Sequence, residues 1–244
     1  VDDSEEAGLS CKNIQLSYYT FVACWTDSEE DPIPLWKMYA GKEMHGIRIS
    51  LDSDMFLKYH IPSGRFYGVD VYKKNEKSSI LPIEKIVTKD YLVVPSFNDS
   101  EMFFKKVLYV DNPFSEMRDV VQIQDMGNGE GAMKMNLKKI GLYKRKCWAF
   151  QKEHRFTLTI LPNIWGDIDI NQMPKRIMQA VYDRIPPKLS FFDLEINPEL
   201  LSKMKITLSP ICSEAEKVIV ESIVQKFAPK AIIRESMLKG LINR

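Results

Sequence analysis

The sequence predicts an α+β protein built on a mixed or antiparallel central sheet with flanking helices, and three observations lead there. Phe156, Leu158 and Ile160 alternate with Glu153, Arg155, Thr157 and Thr159, the period of a strand with one apolar and one polar face. Ser213-x-x-Glu216 is a capping box opening a helix whose expected core stripe is Ala215, Ile219, Ile223 and Phe227. Strands and helices do not alternate strictly along the chain, which disfavours a doubly wound parallel sheet.

The elements follow in order. Residues 1–10 carry Asp2, Asp3, Glu5 and Glu6 and are expected to be a disordered acidic start. Tyr18 to Trp25 is aromatic and β-branched, as in a buried strand. A polar loop through Asp31 leads to a short helix from Pro32 to Ala40, with proline in the first turn where its missing donor costs nothing. Gly46 to Leu51 alternates as a strand with Ile47 and Ile49 inward and Arg48 on the other face. Further strands are expected at Phe66–Tyr72, Tyr91–Pro95 and Val120–Gln124. The glycine cluster from Gly127 to Gly131 fits no phosphate-loop spacing and reads as a surface turn before a basic helix, Met133 to Tyr143. After the Glu153–Leu161 strand, Asn171 caps a helix through Arg184 with Met173, Ile177 and Val181 recurring every four residues. The last segments read as strand (Leu189–Ile196), helix (Pro198–Met204), strand (Ile206–Ser209), helix and strand (Ala231–Arg234). One domain over 1–244 is expected.

Composition bounds the function. A net charge of +1 argues against nucleic-acid binding by global charge, leaving only local patches. The four cysteines (Cys11, Cys24, Cys147 and Cys212) contain no C-x-x-C pair and are expected to be reduced, which points to a cytoplasmic protein. The three histidines fall into no metal motif with the cysteines, so a metal site would need long-range convergence, and no apolar run is long enough for a bilayer. The chain begins at Val1 rather than methionine, as expected of a processed chain or a piece of a longer one.

The densest chemistry lies between Lys134 and Arg155. Eight bases there face Glu153 alone, a local field suited to a phosphate-bearing small molecule and, less readily, to nucleic acid. Gln151-x-Glu153 projects two hydrogen-bonding side chains from one strand face, able to grip a ligand together. The structural alternative is that Glu153 pairs with Arg155 or Lys144 and holds the fold together. Trp25, Trp36 and Tyr39 read as core, with a pocket floor for a flat ring as the functional alternative.

Three blocks carry a resemblance: Cys24-Trp25-Thr26; Leu35-Trp36-Lys37-Met38-Tyr39 with His45-Gly46-Ile47-Arg48-Ile49; and Lys144-Arg145-x-x-Trp148-x-x-Gln151-x-Glu153-x-Arg155. Together with Ile233-Arg234-Glu235-Ser236 they resemble a bacterial family known as domain of unknown function 2971. The resemblance implies a defence-related setting, against phage or in toxin-like systems, but no reaction. Two positions depart from the family pattern: Gln151 stands where members carry glutamate, and Met38 where a histidine is common. The expectation is a nucleotide- or anion-binding sensing module with Arg48, Lys144, Arg145, Gln151, Arg155, Thr26, Trp36 and Tyr39 as ligand-binding residues. The alternatives are a nucleic-acid-directed effector or an enzyme resembling ADP-ribosyltransferases. In the latter, Glu153 would be catalytic, NAD the cofactor, and Arg48, Thr26 or Ser50 would hold the dinucleotide. Both the site and a sheet uniting Gly46–Leu51 with Glu153–Leu161 are therefore expected to bring Arg48 and Glu153 into one structure.

Overall fold

The computed structural model describes residues 10–11, 14–61, 64–66, 69–71, 78–127, 130–164 and 171–242. The expected acidic start therefore lies almost wholly outside the described residues. The chain is an α+β protein with antiparallel sheets and several helices. Over the expected single domain, 1–244, the chain gathers into two compact units, each assembled from two segments. Unit 1 is Val1–Asp27 with Tyr59–Asp193, and unit 2 is Ser28–Lys58 with Leu194–Arg244.

In chain order the principal elements are β1 (Thr20–Thr26), α1 (Ile33–Tyr39), β2 (Ile47–Ser50), β3 (Tyr91–Val93), β4 (Phe104–Lys106), β5 (Leu108–Val110), β6 (Val121–Gly127) and β7 (Glu130–Met135). Then come β8 (Tyr143–Arg145), β9 (Glu153–Pro162), α2 (Met173–Tyr182), β10 (Lys205–Leu208), α3 (Glu214–Phe227) and β11 (Ile232–Arg234).

Unit 1 is organised by β9. Its first seven residues pair antiparallel with β1, Glu153 opposite Thr26 through Thr159 opposite Thr20. β4 pairs along the other side, placing Lys105 opposite Arg155, and β3 takes the far end of the strand. The alternation expected for β9 holds, but the polar face is not solvated. Thr157 and Thr159 are as buried as Leu158, so the strand is enclosed on both sides. A core of Ile14, Leu16, Tyr19, Val120, Val121 and Ile140 receives Met173, Ile177 and Val181 from α2. That is the four-residue spacing of one helix face, and burying each such side chain contributes about 1.5–3 kcal/mol. The helix begins after Gln172, one residue beyond the expected Asn171 cap.

The basic helix expected over Met133–Tyr143 does not form. β7 pairs with β6 as a hairpin up to Met135, and the chain then turns through Leu142 into β8. Its lysines suit a solvated helix face, yet the alternation of Met133 and Met135 with Lys134 is also that of a strand. The expected Phe66–Tyr72 strand is replaced by Gly64–Phe66 paired with Val69–Val71, and Tyr72 lies outside the described residues. Leu189–Ile196 is irregular apart from a bridge between Ile196 and Phe56. β1, expected to be buried, exposes Val22, Ala23 and Cys24.

In unit 2, β10 lies between β2, antiparallel to it, and β11, parallel to it. Ile206 and Leu208 of this central strand are buried. β2 alternates as expected, but with its sides reversed: Ile47 and Ile49 are exposed while Arg48 turns toward buried Asp31. The capping box of α3 forms as read, with Ser213 Oγ accepting from the Glu216 N–H and Glu216 Oε2 accepting from the Ser213 N–H at 2.8 Å. The stripe behind it does not point inward: Ala215, Ile219, Ile223 and Phe227 are all exposed, and Val224 is the helix's buried residue. The expected common sheet is overturned as well, since β2 belongs to the sheet of unit 2 and β9 to that of unit 1.

Candidate functional site

Lys144, Gln151, Glu153 and Arg155 meet in unit 1. Arg145 at the end of β8 leads into a 3-10 segment, Lys146–Gln151, and Lys152 follows in the left-handed region at φ 45°. That turn reverses the chain onto β9 and delivers Gln151 and Glu153 to the same cation. Lys144 Nζ donates to Gln151 Oε1 at 2.7 Å and to Glu153 Oε2 at 3.0 Å, and lies 5.2 Å from the centre of the Trp148 ring. Arg155 Nε donates to the other carboxylate oxygen at 2.7 Å, and its Nη1 reaches the Gly141 carbonyl at 3.1 Å.

All four side chains are buried, so the pairing must offset a desolvation cost of several kcal/mol per ion. Burial pushes the Glu153 carboxyl upward. The Arg155 guanidinium outweighs it by hydrogen bond and charge, helped by Cys24 and Lys144, and the group ends below the ordinary carboxylate range. The Glu153 N–H donates to Tyr109 Oη at 2.9 Å, and burial raises that phenol above its usual value.

Several participants went unread in the sequence. Lys105, opposite Arg155 on the same face, donates to the Leu137 and Ile140 carbonyls at 2.7 and 2.6 Å. Burial, then the charge of Arg155, lowers its pKa to about 8. The turn after β7 thus lies over the polar face of the sheet, and Gly141, at φ +71°, supplies the carbonyl that Arg155 needs. The one available signal was Lys105 next to Lys106 on a strand, where alternation sends one of two adjacent lysines inward.

The remaining expected residues divide between the flanks of this cluster and unit 2. Arg145 is half-buried, with Nη1 at 3.5 Å from the Asp111 carbonyl. Thr26 lies directly across from Glu153 in the β1–β9 ladder. Arg48, Trp36 and Tyr39 belong to unit 2. There Arg48 Nη1 sits 2.7 Å from Asp31 Oδ1 and 2.7 Å from the Glu30 carbonyl, and Asp31 Oδ2 accepts from Ser236 Oγ and the Met237 N–H, each at 2.9 Å. Arg48 and Ser236 are thereby fastened into a structural knot. Trp36 is buried, as its core reading required, whereas Tyr39 is 67% exposed.

Cys24, Cys147 and Cys212 form no disulfide, and Cys24 and Cys147 are exposed rather than buried beside their tryptophans. Among the described residues, no group of three His, Cys, Asp or Glu side chains is arranged to hold a metal, and no helix is long and apolar enough to cross a membrane. Comparison with protein-family models, with curated proteins and with solved structures gives no match.

Proposed function

We propose that unit 1 is a non-catalytic binding module for a phosphate-bearing small molecule with a planar ring, with the buried network as its rigid floor. The observation that carries this reading is the charge count of the cluster: Lys144 and Arg155 are both buried against the single carboxylate of Glu153, and Lys105 adds a third cation on the same face. A low-dielectric setting with surplus positive charge favours an anion nearby. The 3-10 segment offers the complementary surface, with half-buried Trp148 against Lys144 and Phe150 exposed beside it, ring centres 6.1 Å apart. A base can stack there while its phosphates face the bases of 144–152. The resemblance to the domain 2971 family adds a defence-related setting for such a module.

Both Glu153 oxygens are engaged and the residue is 4% exposed, which favours a structural carboxylate over one presented to a ribose. Tryptophan fluorescence titrations with ATP and with inorganic phosphate test the reading. ATP is expected to bind with Trp148→Ala weakening it at least tenfold, about 1.4 kcal/mol. No response to ATP at millimolar concentration overturns the proposal. Nicotinamide release from NAD by the parent chain restores the transferase, and tight binding of single-stranded oligonucleotides that collapses with salt favours the nucleic-acid effector.

A further inference from the structure

The outward face of α3 in unit 2 is the least economical surface described in the chain. Val218, Ile219 and Ile223 are 58%, 58% and 54% exposed, and Phe227 is 73% exposed. Ala215, Ile219, Ile223 and Phe227 follow one another at four-residue spacing and so form one ridge along a helix of 14 residues, about 21 Å long. Isolated exposed apolar residues are ordinary, but a continuous ridge of this kind marks an interaction surface.

The ridge beside it identifies the partner. Glu214, Val218, Ser222 and Lys226 continue the same four-residue spacing, with the acid at one end, the base at the other, and both charges exposed. We propose that this face pairs antiparallel with the same face of a second copy of the chain, about a two-fold axis near Glu221. In that register, Ile219 meets Ile223 of the copy, and small Ala215 lies opposite large Phe227, so the volumes along the ridge match. Glu214 approaches Lys226 of the copy at both ends. A parallel pairing would instead set acid on acid and base on base. Four-residue ridges interleaving from both helices give the commonest helix-packing class, and a two-fold contact uses the same patch twice, as this one is composed to do.

Light scattering on the full chain from about 1 to 100 μM reads the outcome, a range that brackets a micromolar association. The mass is expected to rise from one chain to two, and Ile223→Glu or Ile219→Glu to hold it at one chain. Because both side chains are already exposed, neither variant should lose helical circular dichroism. Glu214→Lys should weaken association at least tenfold, and adding Lys226→Glu should restore it, a rescue that only self-pairing produces. A parent chain that stays single at every concentration assigns the ridge to a different protein and overturns the self-pairing. So does a dimer untouched by both glutamate substitutions, or a charge-swapped double variant no better than the single one.

Discussion

Arg155 grips Glu153 from two residues away on the same strand face, Nε to Oε1 at 2.7 Å, with neither side chain more than 5% exposed. Same-face neighbours on a strand are held at a fixed spacing by the backbone, so this ion pair is preset by β9 before Lys144 joins it. The carboxylate serves as the counter-charge that lets two cations be buried.

That role predicts the outcome of Glu153→Gln. The variant keeps the shape but leaves Lys144 and Arg155 buried without a counter-ion, a loss of about 3–5 kcal/mol. Thermal denaturation should show a marked fall in Tm. A variant that melts with the parent would mean that the carboxylate is dispensable to the fold.

Lys105 gives stability a dependence on alkaline pH. Its folded pKa is lowered to about 8 from an ordinary 10.5, so between those values the unfolded chain binds more protons. Stability from this group therefore rises as pH increases across that window. Urea denaturation at pH 7.5–10.5 should show the rise in the parent, while Lys105→Met should flatten it and lower the overall stability, since the Leu137 and Ile140 carbonyls lose their donor.

Glu216 adds a dependence of the same sign in acid. The Ser213 backbone N–H, the Ser213 hydroxyl and His45 hold its carboxyl at about 2, below the ordinary 4.5. With a depressed folded pKa, its contribution is complete above 4.5 and disappears as pH falls toward 2. Acid titration of Glu216→Gln followed by circular dichroism should show a shallower loss over that interval than the parent.

Tyr19 is 1% exposed, and its hydroxyl makes no hydrogen bond among the described residues, while burial, then Tyr18, raises its pKa to about 12. Leaving a buried hydroxyl unpaired costs about 1–3 kcal/mol. Tyr19→Phe should therefore match or exceed the parent in chemical denaturation; a clear loss of stability would reveal a partner for that oxygen.

Much of this was legible in the residues. The β9 alternation, the α2 stripe and the capping box of α3 are local patterns, and local patterns survive into the structure. What failed was the choice of side. Alternation at Ile47, Arg48 and Ile49 says that the two faces of β2 differ, but only Asp31, distant in sequence until the chain folds, decides that arginine turns toward it. The ridge of α3 likewise declares one apolar face without saying what it meets. Within the site, Glu153, Arg155, Lys144 and Gln151 were readable because a strand and a turn bring them together. Lys105 and the Gly141 carbonyl arrive from other parts of the chain, and the place of Arg48 in unit 2 rests on contacts that local pattern does not reveal.

The two-segment construction of each unit has a consequence during synthesis. Ile47 and Ile49 emerge from the ribosome with β2, but the strand they pair with, β10, begins roughly 150 residues later. At about 5–20 residues per second the wait is roughly 10–30 s. For that time an apolar strand with unpaired edges is released without its neighbour, a target for chaperones and for neighbouring nascent chains. Slowing translation after residue 58 should lengthen this vulnerable interval and lower the soluble yield, without altering a single contact of the finished protein.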